Sequence, residues 1–132
     1  MEGFSFNGTF SGVSFDVNFS DKFNIIKQDS GTGKTFMFRV IDAYCKKNGI
    51  SCLLCNYSML EFKDNFDEHI EGKSLVLLDN ADLYLDSSLL SELESKDCIV
   101  VISIKSLVGL YVEDVGFYSV KYDEDSLTVV RV

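Results

Sequence analysis

Proline and tryptophan are absent from this 132-residue chain, histidine occurs once and arginine only twice, as Arg39 and Arg131. Without proline there is no proline-rich linker, and no internal repeat or low-complexity segment marks a second unit. One domain covering residues 1–132 is therefore expected. No run of 18 apolar residues occurs, so no membrane-spanning helix is expected. The start, Met1-Glu2-Gly3-Phe4-Ser5, has neither the basic residues nor the apolar stretch of a signal peptide. A cytoplasmic location is the expectation that follows.

Positive charge is also scarce. Twelve Lys and Arg face 21 Asp and Glu, for a net charge of −9. A nucleic-acid binder needs a basic stripe to neutralise phosphates, and none is present. Lys46-Lys47 is a short pair that suits the negative end of a helix. Direct nucleic-acid binding is therefore not expected. The acidity suits a solvated surface, a basic protein partner or mimicry of nucleic-acid charge.

What is present begins with alternation. Phe4, Phe6, Phe10, Val13, Phe15, Val17 and Phe19 recur with turn signals at Asn7-Gly8 and Ser11-Gly12. This predicts one or two strands, as an N-terminal β-hairpin. A strand over 22–27 follows, then the stretch Gln28-Asp29-Ser30-Gly31-Thr32-Gly33-Lys34-Thr35. A helix is predicted from Thr35 to Asn48, with Met37, Val40, Ile41, Tyr44 and Cys45 as its apolar stripe and Asn48-Gly49 as its stop. Ile50–Asn56 reads as a buried strand, apolar on both faces. Ser58-Met59-Leu60-Glu61 fits a capping box for a helix ending near Gly72. Ser74–Leu78 and Cys98–Ile104 read as buried strands, with a helix capped by Asp86 between them. Ser106–Val112 fits a short helix or an irregular crossover, and Phe117–Tyr122 with Leu127–Val132 fits a closing hairpin.

Strand, glycine loop and helix together form a phosphate-binding context. Two glycines, Gly31 and Gly33, let the backbone turn its N–H groups inward on an anion, and the helix start adds its own unpaired N–H groups. The cradle would comprise Ser30, Gly31, Thr32, Gly33, Lys34, Thr35 and Phe36. Lys34 would reach the β- and γ-phosphates, and Thr35 would place its hydroxyl on Mg²⁺. The full motif opens with a glycine where this chain has Gln28.

A second motif supports the first. Ser74-Leu75-Val76-Leu77-Leu78-Asp79 runs four apolar residues into a carboxylate. An aspartate leaving a buried strand can hold Mg²⁺ opposite Thr35. The separation of Lys34 from Asp79 suits an arrangement in which another strand lies between the two motif strands.

With both motifs in place the chain resembles the P-loop NTPase superfamily, of the RecA-like and AAA-like type. Gly33-Lys34-Thr35 matches Walker A and Leu75-Val76-Leu77-Leu78-Asp79 matches Walker B, over roughly residues 22–105. The resemblance implies an α/β fold: a three-layer, mostly parallel sheet flanked by helices, here with an N-terminal and a C-terminal β-hairpin. It implies ATP and Mg²⁺ as ligands. It also implies a glutamate after the Walker B aspartate, and this chain has Asn80 there. Asn80 can orient a water but cannot accept its proton, and Asp82 would have to stand in as base. Ser103, Lys105 and Ser106 fall where such proteins carry a γ-phosphate sensor, and Arg131, near the C-terminus, is the scarce arginine that would reach a neighbouring subunit if one were present.

Two functions stay open. One is an ATPase using Lys34, Thr35 and Asp79, with Asp82 or Asn80 arranging water. The other is a regulatory or interaction protein that binds nucleotide without efficient turnover. A specialised form of the second is an acidic inhibitor or adaptor of a nucleic-acid enzyme from a phage or mobile element. A small-molecule kinase, which needs an arginine-rich lid, is not expected. Cys52 and Cys55 have the spacing of a zinc pair, but three residues apart on a strand they face opposite ways. Cys45 and Cys98 read as small buried residues, and the single His69 as a solvated one.

Overall fold

The computed structural model describes residues 3–27, 34–56, 66–105 and 113–132, with the side chains of Lys27, Lys34, Phe66, Asp67 and Leu83 left aside. Eight strands lie in one sheet: β1 (Phe4–Phe10), β2 (Val13–Phe19), β3 (Phe23–Lys27), β4 (Cys52–Cys55), β5 (Leu75–Leu78), β6 (Ile99–Ile104), β7 (Val115–Tyr122) and β8 (Ser126–Arg131). Their spatial order is β1-β2-β8-β7-β3-β6-β5-β4. Three helices are described: α1 (Lys34–Lys47), α2 (Phe66–Ile70) and α3 (Ser87–Ser95).

This corrects the expected architecture. The sheet is mixed and curls into a half-barrel with few helices; it is not a three-layer, mostly parallel P-loop-like sheet. The reason lies in the two terminal hairpins. Both hairpins were expected, and they hold four of the eight strands and fuse edge to edge. β2 and β8 pair in parallel, with Ser14 opposite Ser126 and Asp16 opposite Thr128, and the Ser14 N–H reaches the Asp125 carbonyl at 2.7 Å. Local alternation defines a hairpin but not what its free edge meets.

The concave side of the curl closes over α1. Phe6, Phe15, Val17, Phe19, Met37, Phe38, Ile41, Leu77, Val101, Tyr118 and Leu127 belong to this core. The expected α1 stripe is buried except for the half-exposed Tyr44, and Phe38 adds a fully buried residue that the periodicity did not single out. The opposite side of the sheet packs Phe23, Ile25, Val76, Leu78, Val100 and Ile102 against Ile70, Leu89, Leu90 and Leu93. α3 begins as expected at Asp86, whose carboxylate accepts the Leu89 N–H at 3.0 Å.

Two local expectations change. Asn7-Gly8 lies inside β1, because the turn forms at Ser11-Gly12, where φ is +51° and +76°. Those two positive values build the tight turn that matches strand twist, and glycine takes its value without strain. β4 is the last strand of the sheet, so Cys52, Leu53 and Leu54 are only half-buried. The proposed helix start at Ser58 and the Ser106–Val112 segment lie outside the described residues.

Candidate functional site

β3, β6 and β5 run parallel and side by side, so their carboxyl ends open on the same rim of the sheet. β6 separates β3 from β5, as the spacing of the two motifs implies. Lys27 lies opposite Ile104 and Leu78 opposite Ile102, so β5 ends two residues short of β3 on the same rim, and Asp79 follows directly from it. α1 then starts at Lys34 beside this rim.

Two side chains meet there. Thr35, in the first turn of α1, donates its hydroxyl to Oδ2 of Asp79 at 2.9 Å. Asp79 directly follows the wholly buried strand β5 and is itself buried, 4% exposed. A buried carboxylate needs hydrogen-bond partners, and the Thr35 hydroxyl supplies one. The second carboxylate oxygen leaves capacity for a further donor or a cation.

The backbone of Asp79 is held independently of its side chain. Its N–H donates to the Cys55 carbonyl at 2.8 Å, and its carbonyl accepts the Tyr84 hydroxyl at 2.7 Å. The same hydroxyl lies 3.3 Å from the Cys55 carbonyl. Burial pushes the Tyr84 phenol well above its ordinary range, with the nearby Cys55 and Asp79 adding to the shift, so it stays a donor. The motif reading did not single out Tyr84, since a tyrosine five residues past an aspartate carries no distinguishing pattern.

Asn80 is exposed and left-handed, with φ +53° and ψ +45°. That conformation costs a non-glycine residue some strain, least for asparagine, and turns the chain sharply into the 3₁₀ turn Ala81–Leu83. Asp82 sits on that turn and accepts the backbone N–H of Lys105 through Oδ1 at 2.8 Å. Asp82 therefore ties the loop after β5 to the end of β6. Ser103 is buried within β6, opposite Ile26.

Of the remaining expected site residues, Gln28, Ser30, Gly31, Thr32 and Gly33 lie outside the described residues, and of Lys34 only the backbone is described. The Phe36 ring is half-buried and packs toward the concave core, 5.6 Å from Phe15 and 6.2 Å from Tyr122 between centroids. What Phe36 offers a ligand is thus its backbone N–H at the helix start. Arg39 is exposed on α1. Arg131 is bound within the chain, its Nε 3.1 Å from Oδ2 of Asp21, just ahead of the amino end of β3. That places it at the far end of the sheet from Thr35 and Asp79.

Among the described residues no group of three or more His, Cys, Asp or Glu converges. Cys52 packs with the α1 core and Cys55 with the opposite core, on the two faces of β4 as their spacing demands. All four cysteines are free thiols. A metal at the rim would rest on the Thr35 hydroxyl and the Asp79 carboxylate together with oxygens of its ligand. Such hard oxygen donors fit Mg²⁺ and do not fit zinc.

Fold and site together define a mixed-sheet α and β domain with a hydroxyl–carboxylate pair at the carboxyl ends of its parallel strands. The chain matches no protein-family model and no curated protein sequence. Among solved structures it is similar to a DNA replication initiation factor, with 18% identity and a TM-score of 0.53 over 69% of this chain. The chain spans about a third of that structure, 35% of its length. At that identity the likeness is one of fold alone. Among the described residues no helix is long and apolar enough to cross a membrane.

Proposed function

We propose that this chain binds a nucleoside triphosphate with Mg²⁺, ATP being the favoured nucleotide, and turns it over slowly or not at all. The observation that carries the reading is the 2.9 Å hydrogen bond between Thr35 and Asp79. The two residues are 44 positions apart, and the reading of the sequence put both on one metal. A hydroxyl and a buried carboxylate in contact at a strand-end rim, beside a helix start, form a site for a cation and the phosphates it bridges. Lys34, Thr35 and the loop before them would cradle the phosphates, as in the P-loop NTPases that the motifs resemble. A bound Mg²⁺ would neutralise phosphate charge there.

The same geometry favours binding over hydrolysis. Asn80 has no group that takes a proton from water. Asp82, the other candidate base, uses a carboxylate oxygen to hold the Lys105 N–H. A nucleotide-binding switch or adaptor without efficient turnover fits these residues better than a fast ATPase. The absence of a guanine-recognition signature in the sequence is what favours ATP. A role as adaptor or inhibitor of a nucleic-acid enzyme rests on the net charge of −9.

Calorimetry with Mg-ATP on the parent, Thr35→Ala and Lys34→Ala tests the proposal, with phosphate release measured in parallel. The expected result is binding by the parent, weakened about tenfold or more in each variant, a loss in the range for a charge-assisted hydrogen bond. No affinity of the parent at millimolar Mg-ATP would overturn the nucleotide reading. Rapid phosphate release abolished by Asp79→Asn would overturn the proposed lack of turnover.

A further inference from the structure

Among the described residues β1 is an edge strand of the sheet, and its residues divide into two sets. Because Phe10 and Val13 close a two-residue turn, alternate residues of β1 direct their N–H and C=O groups toward β2. These are Phe4, Phe6, Gly8 and Phe10. The Ser14 N–H, bonded away from β1 to Asp125, confirms which residues of β2 face β1 and which face β8. Ser5, Asn7 and Thr9 therefore direct their backbone groups outward from the sheet, and all three are exposed.

Native edges of this kind are normally blunted by lysine, proline, a bulge or brevity. β1 has none of these: it is seven residues of Phe-Ser-Phe-Asn-Gly-Thr-Phe, paired to β2 in unbroken register. It is also free of charge in a chain whose net charge is −9. Along this strand a second copy therefore meets no charged side chain of β1, the nearest being Asp16 opposite Asn7 on β2.

The strand is complementary to itself about Asn7. In an antiparallel pairing centred there, Asn7 faces Asn7 of the second copy, and Ser5 faces Thr9. These are the residues with outward backbone groups, so about six inter-chain hydrogen bonds form. On the concave side Phe4 faces Phe10, and Phe6 faces Gly8. An aromatic ring across from a strand glycine covers the backbone that glycine leaves bare. Phe4 and Phe10 are only half-buried in the single chain, and Phe6 already stacks on Tyr44 at 4.5 Å. Self-pairing would join these aromatics to their copies across the new seam.

We infer that β1 is a homodimerisation edge, on which a second copy of this chain pairs antiparallel about Asn7 to extend the sheet. The inference is independent of nucleotide binding, since it uses the outward backbone groups of Ser5, Asn7 and Thr9 and neither Thr35 nor Asp79.

Sedimentation equilibrium from about 1 µM to about 1 mM protein tests it. The wild-type chain is expected to self-associate to a dimer and no further. Asn7→Lys places a hydrated ammonium, beside Asp16 of its own copy, at the centre of the seam, the device by which native edges are blocked, and is expected to raise the dissociation constant about tenfold or more. Asn7→Pro removes the central N–H donor from each copy and is expected to do the same. Asn7 is exposed and its N–H points away from β2, so both variants should keep the parent's circular dichroism, and its urea midpoint at concentrations where the parent is monomeric. A wild-type chain that stays monomeric over the whole range overturns the inference. So does a dimer whose affinity neither folded variant changes, and so does open-ended association.

Discussion

Asp82 holds the backbone N–H of Lys105 at 2.8 Å, so the loop that follows β5 is pinned to the end of β6. This relationship assigns Asp82 a structural duty at the rim. Asp82→Ala is expected to lower stability by about 1 kcal/mol, the usual net worth of one hydrogen bond. It should leave any phosphate release unchanged. Urea unfolding and a phosphate assay on the same variant check both parts.

The N-terminal hairpin is part of the main core. Phe19 is fully buried and packs edge-on to Tyr118 at 5.2 Å between ring centroids. Phe19→Ala is expected to cost about 3–5 kcal/mol. A hairpin merely appended to the sheet would lose far less. A chemical denaturation curve, with unchanged slope, gives the number directly.

At the opposite end of the sheet, Asp21 accepts the Tyr118 hydroxyl at 2.7 Å and Arg131 Nε at 3.1 Å. Burial pushes the Asp21 carboxyl up, but the hydrogen bonds from Arg131 and Tyr118 and the Arg131 charge together hold it below its ordinary value. A group with a depressed pKa in the folded state stabilises above its unfolded pKa, and the gain is lost as pH falls through the folded value. Stability should therefore decline below about pH 4, near the ordinary carboxylate value. Asp21→Asn should be less stable at neutral pH and show a shallower acid limb. Thermal midpoints between neutral pH and pH 3 measure the difference.

Two thiols should be silent in the folded protein. Burial pushes Cys55 up to about 12, and burial also raises Cys98 above its ordinary range. The thiolate is the reactive form, so neither should react with a disulfide reagent at pH 8 until the chain unfolds. Peptide mapping after labelling, with and without urea, identifies which cysteines are modified. Labelling of Cys55 in the folded state would show that β4, at its edge, opens readily.

Much of the local structure was legible because it depends on neighbours in sequence. The α1 stripe, the Asp86 cap and the buried runs before Asp79 and Ile104 all followed from periodicity and capping chemistry. The half-burial of β4 was not, because a four-residue apolar strand reads alike in the middle of a sheet and at its edge. Nor was the turn at Ser11-Gly12 distinguishable from Asn7-Gly8, since either dipeptide accepts positive φ.

The site divides in the same way. Residue type and spacing alone put Thr35 and Asp79 forward as partners, because a hydroxyl after glycine-lysine and a carboxylate after a buried strand have few other uses in that order. Only the tertiary structure brought them to 2.9 Å, tied Asp82 to Lys105, and buried Tyr84 beneath Asp79. Those contacts depend on which strands lie side by side. That order, β3-β6-β5-β4, rests on parallel backbone pairing between strands distant in sequence, and the parallel pairing of β2 with β8 joined the two hairpins into the same curled sheet. Backbone hydrogen bonds along a strand edge carry no side-chain signature. The amino-acid sequence by itself therefore determined the elements and the chemistry, while edge pairing decided the half-barrel.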